Sequence, residues 1–167
     1  MSYRNKTYIA FDGDNDIHYF RLMQAWKSHN HIDFDFYDAH DLNSARDTST
    51  EESIKSQLRI RMANAKQMVL LVGKNTKCRT FVPWEVQLAR KKDIPIIVVN
   101  LNKQRSYDND HCPSWMVNGD ERTVHISFDM KIIKYALDYF PNEYAENKGI
   151  GGSKRNYGVD IYNKLGL

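Results

Sequence analysis

The stretch "TFVPWEVQLA", Thr80 to Ala89, places a carboxylate where an apolar residue is expected. Pro83 is compatible only with the first turn of a helix, where backbone N–H groups have no intrahelical acceptor. In that helix Glu85 shares a face with Phe81, Leu88 and Ala89, at spacings of four and three. A carboxylate on an apolar face is a candidate catalytic group. The helix macrodipole also favours Glu near an N-terminus whatever the function. Other chemistry-bearing residues gather where apolar runs end: Phe11, Asp12, Gly13 and Asp14; then Tyr37, Asp38, His40 and Asp41; then Gly73, Lys74, Asn75 and Thr76. Asp12 and Asp14 also suit a strand end and a helix cap, and Lys74 and Asn75 suit any turn.

The elements that position these residues follow from periodicity. "TYIAFD" reads as a strand, and Asp14 to about Asn30 as a helix with Ile17, Phe20, Met23 and Trp26 along one side. "HIDFDFYD" alternates, as an edge strand covered on one face does. Asp38 to Thr50 is a polar loop. "STEESIKSQLRIRMANA" is a helix capped by Ser49 or Thr50, with Ile54, Leu58, Met62 and Ala65 inward. "QMVLLVG" and "IPIIVVNL" are continuous apolar runs, the pattern of strands buried on both faces. Between them lies the Glu85 helix, ending near Lys92. Residues 103–122 form an irregular excursion, "TVHISF" a last strand, and "DMKIIKYALDYF" a helix that Pro141 should end. From Asn142 onward the chain is a polar extension, with "GIGGSKRNYG" as flexible tail and Ile150, Val159, Ile161 and Leu165 as its anchors.

Alternation of strand and helix implies an α/β fold: a three-layer sandwich around a five-stranded parallel sheet, flavodoxin-like in the order 2-1-3-4-5. In such sheets ligands bind beyond the carboxyl ends of the strands. Glu85, one turn into the helix after the third strand, is directed at that rim. A phospho-acceptor receiver domain shares the topology but requires an Asp at the end of the third strand, where this chain has "LLVGKN". No Walker A loop, GxSxG elbow or HExxH spacing occurs, so a P-loop enzyme, a serine hydrolase and a metal site are not expected.

The 167 residues suit one domain, with a core at about 7–141 and an extension at 142–167. A net charge of +3, with basic residues scattered rather than striped, does not argue for nucleic acid. No apolar run approaches membrane-spanning length, so no membrane partner is expected. The two cysteines, Cys78 and Cys112, lie far apart and suit a reducing, cytoplasmic setting.

"SIKSQLRIRMANAKQMVLLVGKNT" followed by "CRTFVPWEVQLA" resembles the bacterial TIR-like family, and within it the TIR proteins of the Thoeris anti-phage system. The resemblance runs from Tyr8 to about Leu101. It implies an enzyme that cleaves the nicotinamide–ribose bond of NAD and releases a cyclic ADP-ribose-type signal. That diffusible signal would switch on a partner NAD-degrading effector. NAD would be substrate, with no further cofactor, and activity would await a trigger or self-association. The resemblance gives Glu85 the catalytic position, and Phe81 the place where many NAD-cleaving relatives carry Trp. Phe11, Asp12, Asp38, Gly73, Lys74 and Trp84 complete the expected substrate site, and the loop from Asp38 to about Thr50 would gate it. A non-catalytic nucleotide-binding or interaction module is the alternative.

Overall fold

A computed structural model describes residues 6–29, 36–38, 50–116, 120–147 and 155–167. Five parallel strands form one sheet: β1 (Thr7–Ala10), β2 (Phe36–Asp38), β3 (Gln67–Val72), β4 (Ile96–Asn100) and β5 (Thr123–Ser127), in the order β2-β1-β3-β4-β5. The helices are α1 (Ile17–His29), α2 (Glu51–Met62), α3 (Phe81–Lys91), α4 (Met130–Asn147) and α5 (Val159–Lys164). Each residue of β3 and β4 is buried, because helices cover both sheet faces.

The two-residue period of the strands divides the core in two. Ile9, Val69, Leu71, Ile97, Val99 and Ile126 face α1 and α4, meeting Phe20, Met23, Ile133 and Leu137. Tyr8, Ala10, Met68, Leu70, Val72 and Val98 face α2 and α3, meeting Ile54, Leu58, Met62, Val82 and Val86. The predicted stripe of α2 is the buried one. Its cap is Thr50, whose hydroxyl accepts from Ser53 N at 3.2 Å, while Glu51 and Glu52 sit in the first turn. Pro83 lies in the first turn of α3. Among the described residues, no helix is long and apolar enough to cross a membrane.

The structure corrects the reading of the C-terminal region in two places. α4 does not end at Pro141 but runs through it to Asn147. The turn beyond the proline is held by packing, since Tyr144 is buried and its hydroxyl donates to Asp93 Oδ1 at 2.5 Å. Nor is the extension a loose tail throughout. Asn156 bridges to His125 beside β5, and α5 buries Tyr162 against the α4-side core. Among the expected anchors, Ile161 and Leu165 pack on that core, whereas Val159 is 69% exposed. Ile150 and most of "GIGGSKRNYG" lie outside the described residues. So do residues 39–49, which make up nearly all of the expected gating loop.

Candidate functional site

Glu85 is buried one turn into α3. The hydroxyl of Tyr8, from the middle of the sheet, donates a short hydrogen bond to Glu85 Oε1. The register explains the meeting: Tyr8 shares a strand face with Ala10, and that face looks toward α2 and α3. A carboxylate on an apolar helix face is thus anchored from the strand it packs against. Neither residue's type alone announces this pairing. The two-residue period of β1 puts Tyr8 on the face opposite Ile9 and Phe11 but does not name Glu85 as its partner.

The other expected residues divide between the two faces. Phe81 and Trp84 lie with Glu85 on the α2–α3 side, partly buried. Trp84 leans on α2, with Arg59 Cζ at 5.3 Å and Lys55 Nζ at 5.9 Å from its ring centroid, a cation–π arrangement. Phe11 turns the opposite way. Its ring stacks on Phe20 at 5.0 Å within the α1–α4 core, so it does not share a face with Glu85. Asp38 ends β2 in register with Ile9.

Asp12 is fully buried and is engaged by its own loop. It accepts from Asp14 N at 3.1 Å and Asn15 Nδ2 at 2.7 Å, and Arg79 Nε lies 2.8 Å from its Oδ1. Arg79 Nη1 reaches Asp14 Oδ2 at 2.5 Å. Arg79 therefore ties the turn after β1 to the segment entering α3. The spacing of "CRTFVPWE" gave no hint of it, because its partners lie 65 or more residues away.

Gly73 and Lys74 line a cleft of about 260 Å³ at the carboxyl ends of β1, β3 and β4. Asp16, His18, Tyr19 and Asn102 also line it, and His111 reaches it from the excursion between β4 and β5. The turn after β3 is closed by Thr76, whose hydroxyl accepts from Gly73 N at 2.9 Å. Asp16 is buried, and burial followed by the neighbouring Asp12 charge raises its carboxyl above the ordinary carboxylate value. Asp108 moves the opposite way. Burial alone would raise it, but hydrogen bonds from the His111 ring and from the backbone of Asp110 and His111 outweigh that and lower it. Glu85, Phe81 and Trp84 are not among the lining residues of this cleft. Among the described residues, no group of three or more His, Cys, Asp or Glu side chains could hold a metal ion.

A family model described as Thoeris protein ThsB, TIR-like domain, matches residues 8–106. The matched segment contains Tyr8, Arg79, Glu85 and the β1, β3 and β4 ends of the cleft, and it stops before Asp108 and His111.

Proposed function

The chain belongs to the Thoeris ThsB TIR-like family, and from that premise we propose that it cleaves the nicotinamide–ribose bond of NAD, with Glu85 as the catalytic residue. The product would be a cyclic ADP-ribose-type signal that activates a partner effector in anti-phage defence. The observation that carries the reading is the Glu85 carboxylate itself, held by Tyr8 one turn into the helix after β3.

The chemistry suits a single carboxylate. Ordinary glycosidases use two, an acid for the leaving group and a nucleophile or base. Nicotinamide is already cationic in NAD and departs neutral, so no acid is required. The remaining demand is to stabilise the oxocarbenium-like ribose as positive charge develops. A preorganised carboxylate does that best where water is scarce. The Tyr8 hydroxyl donates to the carboxylate, which fixes its orientation. If water is excluded while ADP-ribose folds back, an internal nucleophile takes its place and the product is cyclic.

The test is to incubate the pure protein with NAD and follow nicotinamide and ADP-ribose isomers by mass spectrometry. Glu85→Gln should lower nicotinamide release by about 10²–10³-fold, the scale of losing one group that stabilises transition-state charge. Equal turnover by the variant would refute the assignment. The burial of Glu85 favours a second reading, a nucleotide-binding module without turnover. A rise in melting temperature with ADP-ribose, without nicotinamide release in any oligomeric state, would select it.

A further inference from the structure

The cleft at the ends of β1, β3 and β4 contains groups for which the Glu85 chemistry has no use. Asp16 Oδ2 is buried and has no hydrogen-bond partner. The carboxylate lies against Gly73, where an added Cβ would stand 2.4 Å from Oδ2. A buried acceptor without a donor is costly, and ligand sites are among the places where that cost is retained.

A second acceptor comes from His111. Its Nδ1 lies 2.8 Å from Asp108 Oδ2, and Asp108 also accepts from Asn102 Nδ2 at 2.8 Å and from Asp110 N at 2.9 Å. Asn102 Nδ2 stands 3.3 Å from the same ring nitrogen, a longer contact than the one to the carboxylate. An ionised carboxylate only accepts, so the Asp108 bond places the proton on Nδ1. In the neutral form of the ring that leaves Nε2 as an acceptor, and no described residue is bonded to it. Donors on the same lining are Lys74 and Asn75, both exposed. The rings of His18 and Tyr19, 4.1 Å apart, supply an aromatic surface.

Two acceptors, a cation and an aromatic wall match a ribonucleotide. We propose that this cleft binds one ribonucleotide unit, its ribose hydroxyls donating to Asp16 and to His111 Nε2, its phosphate at Lys74, and its base against His18 and Tyr19. The volume, about 260 Å³, lies just below the usual small-molecule range of about 300–1,000 Å³. That suits one nucleoside unit better than a whole dinucleotide. The cleft would hold the half of the dinucleotide that is not cleaved, and in this respect the inference rests on the NAD reading.

The experiment uses the full chain and AMP, which has no nicotinamide bond to cut. The imidazole resonances of His18 and His111 are followed by NMR during titration with AMP, 2′-deoxy-AMP and inorganic phosphate, with affinities from calorimetry. AMP should move both histidines, 2′-deoxy-AMP should bind at least roughly tenfold more weakly, and phosphate alone should move neither. Asp16→Asn should weaken AMP by about tenfold, as for a lost hydrogen bond to a charged group. No movement with AMP, equal binding of the deoxy analogue, or an equal response to phosphate alone would each overturn the proposal. Because AMP binding is read without turnover, its failure is separate from equal NAD turnover by wild type and Glu85→Gln, which refutes the Glu85 assignment instead.

Discussion

At Tyr8 a single oxygen links the sheet to the proposed chemistry. Tyr8→Phe keeps the ring in its fully buried place and removes the donor to Glu85. The expected cost is about 1.5–3 kcal/mol, the range for hydrogen bonds to charged groups, read as a lower urea midpoint with an unchanged slope. NAD turnover should fall with it, because the carboxylate loses its fixed orientation. His125 makes a different prediction. It is 1% exposed in β5, and burial lowers its pKa from 6.5 to about 4. The unfolded chain therefore binds a proton that the folded chain refuses. The stability this group contributes is complete above about pH 6.5 and is lost progressively as the pH falls to about 4. The loss amounts to about 3 kcal/mol. In His125→Gln the slope of stability against pH in that window should flatten, as followed by denaturant titration at several pH values.

The turn between β3 and α3 depends on Gly73 having no side chain. Gly73→Ala would bring a methyl into the Asp16 carboxylate and should cost about 1–3 kcal/mol, as overpacking does. Adding Asp16→Ala should recover part of the loss, a coupling that a double-mutant cycle measures. Elements of this kind differ in how readily the sequence betrays them. α2 was legible throughout, since its cap, acidic first turn and inward stripe are local signals that agree. The apolar runs of β3 and β4 were equally plain. Pro141 misled because the local rule was outweighed by a distant one: Tyr144 is buried and bonded to Asp93, 51 residues earlier. The strand-end position of Phe11 does not by itself report its parity, which turns it to Phe20. Glu85 stood out as a carboxylate on an apolar face, but Tyr8 and Arg79 did not. Their meaning lies in partners 77 and 65 residues away, and no periodicity reports those.

Over the whole molecule, the last thirteen described residues belong to the sheet as much as to the extension. His125 N donates to Arg155 O at 2.9 Å, Ser127 N to the Tyr162 hydroxyl at 3.3 Å, and Thr123 N to Asp120 O at 3.0 Å. Tyr162 also lies beneath Arg105, whose Cζ stands 4.2 Å from its ring centroid. Tyr162→Ala should cost about 3–5 kcal/mol, as for other large buried aromatics. For a chain of this size that lowers the melting temperature by roughly 6–20 °C, measurable by calorimetry.

These three donors are the outward row of β5, the groups an exposed edge strand would offer to any passing chain. With these donors already spent, that end of the sheet has no free N–H row among them to offer another strand, and β2 is the remaining edge of the described sheet. Among the described strands, copies that met edge to edge would join β2 to β2. A twofold axis closes such a contact at two molecules rather than extending it into an open-ended fibre.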